Sequence, residues 1–473
     1  MRILKFGGTS LDRPGRVRAV VEILARSAAE EPTIAVVSAM AGVTDDLESA
    51  ARGAAVHQDG YRDTLAAIEA RHRAAVRELV PERAREEVDA VVDDAFVDLH
   101  DVLHGVSLVR ECTVRTLDRV LSYGELLSST IVAAALRAAG QASQARDPRD
   151  FIVTDDRFGA ARVDWERTRL RVRDVLSESG DTMSVVGGFV GATARGETTT
   201  LGRGGSDYTA ALLGAALKAS RVEIWTDVDG VMSADPRLVS NAFALPSLSY
   251  HELAELSHFG AKVVFPPSVR PTRDQSIPLV IRNTLAPELE GTRITDRSRP
   301  QKGHPIRGIS SINEVALLRL EGVGMVGESG VAARLFGALA RERISVILIS
   351  QASSEHSICF AVQPQHAGRA QRALQDEFEL ERRVGLVDAP VVESGLSVIA
   401  AVGDGMRETP GIAGRLFSTL GDHDVNVRAI AQGSSELNIS LVVAKEDEVT
   451  ALRAIHDAFF AAKRVDARKG AER

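Results

Sequence analysis

The sequence predicts an α/β protein: a mostly parallel sheet sandwiched by helices, followed by two small βαββαβ modules. Three observations predict it. Short apolar runs that stop at glycines alternate with long helical stretches up to residue 300. The last third repeats itself at a constant offset. The chain of 473 residues, 44% hydrophobic and 26% charged, is too long for one compact core and suits two or three globular domains.

Arg2–Phe6 (RILKF) reads as a short buried strand that stops at Gly7-Gly8. Thr33–Ser38 (TIAVVS) is a second, ending in Ala39-Met40-Ala41-Gly42. From Gly60 to Gly140, Ala, Leu, Val, Glu and Arg recur at i, i+3 and i+4, the helical period, with a break at Pro81. Met183–Val186 and Val222–Thr226 are further strands, each followed by glycines or turn residues. Strands alternating with helices require a mostly parallel sheet covered on both faces, and ligands of such sheets bind beyond the carboxyl ends of the strands. The glycines sit at those ends.

The character changes at Asp296–Pro305 (DRSRPQKGHP), a polar stretch that reads as a linker. Beyond it, Gly330–Phe336 (GVAARLF) resembles Gly411–Phe417 (GIAGRLF), an offset of 81 residues (411 − 330). The same offset aligns Leu339 with Leu420, Val346 with Val427, Ile349 with Ile430, Gln351 with Gln432 and Ile358 with Ile439. A constant offset held this long means a duplicated module. Each copy reads strand, helix, strand, strand, helix, a ferredoxin-like βαββαβ pattern. The strands are expected at Val315–Leu320, Ser345–Ser350 and Ser357–Val362, then at Leu396–Val402, Asn426–Ala431 and Asn438–Val443.

Composition excludes several classes of function. A formal net charge of -8 gives no electrostatic footprint for nucleic acid or an anionic membrane. Two cysteines far apart, Cys112 and Cys359, build neither a disulfide framework nor a zinc site, which fits a reducing cytoplasm. Neither a signal peptide nor a membrane span is expected, since no long apolar run occurs.

Four motifs carry chemistry. Lys5–Ser10 (KFGGTS) closes the first strand: glycines admit a phosphate to the backbone, and Lys5 adds a mobile positive charge. The Gly-Lys-Ser/Thr order of a Walker A loop is absent, and a plain glycine turn beside a surface lysine would look the same. Leu201–Thr209 (LGRGGSDYT) precedes a helix expected at Ala210–Leu217. There Arg203 can clamp a carboxylate, Ser206 stands at a helix N-terminus, and Asp207 can orient a lysine or a metal; helix capping alone would also account for Ser206 and Asp207. Trp225–Arg237 (WTDVDGVMSADPR) sets three aspartates beyond a strand end, suited to Mg²⁺ through water, to a ribose or to Asx turns, with Asp227 the functional candidate. Phe259–Pro266 (FGAKVVFP) offers Lys262 to phosphates, or to solvent. Ser38 and Thr44 lie in the loop after the second strand. Glu125, in the apolar helical stretch Ser122–Leu127 (SYGELL), is placed to receive an ammonium group or to stay partly exposed.

Taken in order, KFGGTS, SYGE (Ser122–Glu125), GGFVG (Gly187–Gly191), LGRGGSDYTA (Leu201–Ala210), WTDVDGV (Trp225–Val231), ADPR (Ala234–Arg237) and SHFGAKVVFP (Ser257–Pro266) resemble the aspartokinase family of the amino acid kinase superfamily. Each motif alone is weak; the ordered set spans nearly the whole chain and is specific. The repeat resembles that family's paired ACT domains. VGDGMR (Val402–Arg407) and the two Gln-x-Ser-Ser-Glu segments look most like the kinase half of bifunctional aspartokinase–homoserine dehydrogenases, with no dehydrogenase domain expected after the second module.

The resemblance implies an amino acid kinase fold over residues 1–300 and ACT domains over 305–390 and 391–473, which can interleave in space. It implies phosphorylation of L-aspartate by ATP with Mg²⁺, the first step toward lysine, threonine and methionine. Lys5, Asp207 and Lys262 are then catalytic. Lys5, Phe6, Gly7, Gly8, Thr226, Asp227, Met232, Arg237, Lys262 and Val263 hold the nucleotide. Ser38, Thr44, Glu125, Phe189, Arg203 and Ser206 hold the amino acid, and no direct metal ligand is assigned. Gln351 and Gln432 are expected to bind an amino acid effector, threonine ahead of lysine, in a dimer or tetramer formed through the ACT domains. A kinase for another acidic amino acid, or a silent amino acid sensor, are the alternatives. Two positions depart from the family: Met232 replaces a usual tyrosine and Phe265 a usual histidine, both expected near the nucleotide.

Overall fold

The computed structural model describes residues 1–58, 60–177, 182–260, 263–296, 305–352, 356–407 and 409–460. The chain forms two compact units: residues 1–231, 246–250 and 263–297 in the first, and 232–245, 251–262 and 298–473 in the second. Lys262, Ser353, Ser354, Glu355 and most of the expected linker Asp296–Pro305 lie outside the described residues.

In the first unit, β1 (Arg2–Phe6) buries its three apolar residues and β2 (Thr33–Val37) is buried throughout, as central parallel strands require. Between them, α1 (Pro14–Glu30) begins with a proline, whose missing amide is an orphan there anyway. The long helical stretch resolves into α2 (Val43–Ala55), α3 (Gly60–Leu79), α4 (Arg85–Val109) and α5 (Val114–Ala138). Pro81 separates α3 from α4, and Thr113 caps α5 by accepting from the Thr116 amide at 3.1 Å. There follow β3 (Ser143–Arg146), β4 (Val153–Thr154), α6 (Trp165–Leu176), β5 (Met183–Gly187), β6 (Val190–Thr193), β7 (Thr198–Thr200), α7 (Gly205–Leu217), β8 (Arg221–Thr226) and β9 (Ser247–Ser249). Helix α8 (Tyr250–His258) falls, but for Tyr250, in the second unit; then come α9 (Arg270–Asp274), β10 (Leu279–Asn283) and β11 (Thr292–Thr295). The main sheet runs β3-β5-β2-β1-β8-β10-β11-β9; neighbours are parallel from β3 to β10, and β10 with β11 is antiparallel. β4, β6 and β7 form a small separate sheet. Helix α7 starts at Gly205, five residues before the expected Ala210, so the serine and aspartate of the arginine loop are already helical.

The second unit is built on one antiparallel sheet, β13-β14-β12-β15-β17-β16. Its elements are β12 (Gly308–Glu321), α10 (Val331–Arg341), β13 (Leu348–Gln351), β14 (Ser357–Val362), α11 (Pro364–Glu377), α12 (Glu379–Arg383), β15 (Val391–Val402), α13 (Ile412–Gly421), β16 (Ala429–Gln432), β17 (Asn438–Ala444) and α14 (Glu448–Phe460). β12 and β15 extend beyond the expected Val315–Leu320 and Leu396–Val402, and the extra length has a purpose. Gly308–Ile312 pairs with Val398–Val402, while Leu317–Arg319 pairs with Val391–Glu393. The first half of β12 therefore completes the second copy, and the first half of β15 completes the first. Between the halves the register shifts, with Glu314 at a φ of 58°. The cores follow suit: Ile306 and Ile309 pack with Ile399, Leu416 and Leu441 of the second copy. Ala234 and Val239, from the 232–245 segment, join that same core. Among the described residues no helix is long and apolar enough to cross a membrane.

Candidate active site

β1, β2, β5 and β8 run parallel, so their carboxyl ends line one edge of the sheet, the usual ligand edge. Lys5 reaches from β1 to Asp207 in the first turn of α7, with Nζ 2.7 Å from Oδ1; both side chains are 11% exposed. Two glycines allow the close backbone approaches here. A Cβ on Gly8 would lie 2.9 Å from the Ala39 carbonyl oxygen, and one on Gly188 would lie 2.7 Å from Ser206 Cα.

One cleft of about 390 Å³ gathers Lys5, Gly8, Ser38, Thr44, Glu125, Phe189, Ser206 and Asp207 among its walls. The sequence puts these residues on five separate segments. Glu125 is not the half-exposed helix residue that its neighbourhood also allowed: it is 3% exposed. Burial pushes its carboxyl up to about 8; the Ala39 amide and the Lys5 charge offset this only in part. Its Oε2 has no hydrogen-bond partner among the described residues. A buried acid short of counter-charge, facing a cleft, is suited to a cationic ligand. Phe189 sits at a φ of 68°, unusual for a bulky residue. Its amide donates to Thr209 Oγ1 at 3.1 Å and its carbonyl accepts from the Leu201 amide at 2.8 Å, which hold it there.

Arg203 is exposed and does not line the cleft. Its guanidinium lies 5.5 Å from the centroid of the Phe265 ring. Phe265, expected near the nucleotide, packs on the arginine loop, with its Cβ 2.8 Å from where a Cβ on Gly204 would sit. Of the residues expected at the nucleotide, Phe6 is fully buried and stacked on Trp225 at 6.0 Å, which leaves only its backbone for a ligand. Thr226 and Asp227 stand at the end of β8, where Thr226 Oγ1 donates to Asp227 at 3.1 Å. Asp229 is spoken for by Asn283 Nδ2 at 2.6 Å. Val263 belongs to the first unit, Met232 and Arg237 to the second. Arg237 is exposed and forked onto Asp235, at 3.0 and 2.6 Å.

Gln351 and Gln432 end β13 and β16 at equivalent places, both exposed. The two strands approach one another, and Ser350 Oγ donates to the Ile430 carbonyl at 2.7 Å. The copies differ nearby: Asn438 donates to Glu255, whereas its counterpart at the same offset is Ser357.

Three supporting residues escaped the sequence reading. Arg71 donates to the Ala41 carbonyl at 2.6 Å and to the Asp12 carbonyl at 2.8 Å, and Ser128 Oγ donates to the Ser38 carbonyl at 2.7 Å. Nothing local marks either, because each acts on backbone far away in sequence. Asp118 had a signal: an acid seven residues before Glu125, a spacing that puts both on one face of a helix.

Residues 1–283 match the amino acid kinase family, and residues 318–378 and 399–459 each match the ACT domain. The chain is 38% identical to the bifunctional aspartokinase/homoserine dehydrogenase of Haemophilus influenzae, covering 98% of this chain and 57% of that protein. It is 36% identical to the chloroplastic bifunctional aspartokinase/homoserine dehydrogenase 2 of Arabidopsis thaliana, covering 96% and 50%. The chain therefore spans about half the length of these curated relatives. Among solved structures it superposes on E. coli aspartokinase III in complex with aspartate and ADP, an R-state, with a TM-score of 0.79, 30% identity and coverage of 97% and 100%. The T-state of that protein with lysine and aspartate gives 0.78. This chain belongs to the amino acid kinase family and, within it, to the aspartokinases with paired ACT domains.

Proposed function

We propose that this chain is an aspartate kinase, converting ATP and L-aspartate to ADP and 4-phospho-L-aspartate at the start of aspartate-family amino acid biosynthesis. The observation that carries the reading is a single cleft that joins the Lys5–Asp207 pair, beside a glycine cradle, to the charge-starved Glu125. A carboxylate nucleophile needs no general base, so positioning and charge neutralisation are enough. Lys5 neutralises charge on the transferring phosphoryl group and Asp207 orients it. Glu125 receives the substrate ammonium. Arg203 takes a carboxylate after leaving Phe265, and Ser38, Thr44, Phe189 and Ser206 shape the remaining wall. The backbone of Phe6–Gly8, with Thr226 and Asp227, faces the nucleotide; Met232, Arg237, Lys262 and Val263 are assigned to it by family likeness.

Among the described residues no group of three or more His, Cys, Asp or Glu is placed to hold a metal ion. Mg²⁺ is held largely by phosphates and water and would neutralise phosphate charge when bound. The complexes of E. coli aspartokinase III with ADP, aspartate and lysine support nucleotide, substrate and effector sites here. Likeness to bifunctional relatives favours threonine over lysine as the inhibitor, acting at Gln351 and Gln432. A homo-oligomer formed through the ACT domains, in the cytoplasm, completes the reading, and two free cysteines are consistent with that compartment. The test is ADP release with aspartate, glutamate and N-acetylglutamate side by side, the acyl phosphate trapped by hydroxylamine. Turnover with glutamate or N-acetylglutamate and none with aspartate would replace the substrate.

A further inference from the structure

We infer that Asp118 is a positioning residue for the amino acid half of the cleft, an inference that rests on the aspartate kinase reading above. Asp118 lies in the second turn of α5 and is 1% exposed. Its carboxylate accepts from three donors: the Gly159 amide at 2.9 Å, the Thr200 amide at 3.0 Å and Thr200 Oγ1 at 2.7 Å. It makes no ion pair among the described residues. Burial pushes its carboxyl above the usual range, and the three donors offset this only in part. A buried carboxylate held only by hydrogen bonds is costly, so the geometry it enforces is the place to look for its use.

Each donor belongs to the arginine loop or to what backs it. Thr200 is the last residue of β7, immediately before Leu201–Asp207. The Thr200 carbonyl accepts from the Ala161 amide at 2.9 Å, and the Leu201 amide is fixed by Phe189. Gly159 and Ala160 form the wall behind Gly202: a Cβ there would sit 3.2 Å from Ala160 Cβ and 3.3 Å from the Gly159 carbonyl. Asp118 thus ties the start of the loop that carries Arg203 and Ser206 to helix α5. Seven residues further along α5, on the same face, stands Glu125. One carboxylate therefore sets the distance between the group that receives the substrate ammonium and the loop that receives its carboxylate. A ligand with charged handles at both ends is sensitive to that spacing, whereas a nucleotide at the ends of β1 and β8 is not.

Three variants separate positioning from mere support of the fold. Asp118→Asn keeps the shape but turns an amide nitrogen toward a donor. Thr200→Val removes one hydroxyl donor and keeps the β-branch; Thr200→Ser keeps the donor. With wild type active on aspartate, Asp118→Asn and Thr200→Val are expected to raise KM for aspartate about tenfold or more, leave KM for ATP within about twofold, and Thr200→Ser to stay near wild type. Equal rises in both KM values, or a lowered Tm with both unchanged, overturn the inference. If Asp118→Asn does not fold, the contrast between Thr200→Val and Thr200→Ser decides alone. A wild type that phosphorylates no aspartate sinks the kinase reading and this inference with it; an active wild type with an unmoved aspartate KM in the variants sinks this inference only.

Discussion

The cleft of the first unit and the paired modules of the second keep their polar groups in opposite ways. In and behind the cleft, Lys5, Asp207, Glu125 and the supporting Asp118 are nearly or wholly buried. In the modules, the two glutamines singled out by the repeat are exposed at the ends of edge strands. Inside the modules the buried Glu448 is satisfied in place: it accepts from Ser311 at 2.8 Å, Ser397 at 2.9 Å and Lys445 at 2.7 Å. The difference teaches what each region can do. Charges fixed and desolvated before a ligand arrives stabilise a transition state strongly, because no reorganisation is needed at that moment. Exposed groups on strand ends cost little to move, and suit a site whose occupancy biases an equilibrium.

The sharpest way to break this comparison is at Lys5. If the cleft is preorganised, Lys5→Ala lowers kcat by a factor on the order of 10² or more with a smaller effect on KM. Steady-state kinetics that return a near wild-type kcat would remove Lys5 from the chemistry.

Glu125 should come next. Its carboxyl sits at about 8 in the folded chain against an ordinary 4.5. An ammonium ligand needs the ionised form, so KM for aspartate should rise as pH falls below about 8, approaching tenfold per pH unit well below it. Between the two values the folded chain binds more protons than the unfolded one, so ligand-free stability should fall as pH rises from about 4.5 and level off above about 8. Glu125→Gln should raise KM for aspartate roughly thirtyfold and flatten both profiles. Profiles of the variant that still track wild type would show that another group titrates.

A smaller effect is expected at Arg203, which must leave the Phe265 ring to reach a ligand. A bidentate clamp is not replaced by a point charge, so Arg203→Lys should raise KM for aspartate about tenfold and that for ATP far less. A selective rise for ATP would move Arg203 to the nucleotide.

On the module side, the comparison predicts effects on control and not on chemistry. Threonine should inhibit, and Gln351→Ala or Gln432→Ala should shift the inhibition midpoint several-fold while the uninhibited rate stays within about twofold. Inhibition curves that show wild type indifferent to threonine and lysine, alone and together, would end the effector claim and leave the kinase reading standing.

Much of this was legible in the chain itself. Arg2–Phe6, Thr33–Ser38, Met183–Val186 and Val222–Thr226 were readable because buried parallel strands are apolar runs that end in glycine. Ser143–Arg146 (SQAR) and Thr198–Thr200 (TTT) were not, because short polar strands take their conformation from their neighbours. Lys5 and Asp227 stood out as charges at the ends of such runs, Glu125 as a charge in an apolar helical stretch and Asp207 as one in a glycine-rich loop before a helix. That Lys5 meets Asp207, or that Phe265 lies on Arg203, had no local trace.

By itself, then, the sequence determined the period and order of the elements, the duplication at a fixed offset and the residue types that the chemistry needs. These depend on local propensity and on which side chains avoid water. Only the tertiary structure decided which charges share a cleft, how far Glu125 is stripped of solvent, that Asp118 ties the arginine loop to α5, and that each module borrows a strand from the other's half. Those facts depend on distances between segments separated by tens to hundreds of residues, and such distances exist only once the sheets have formed.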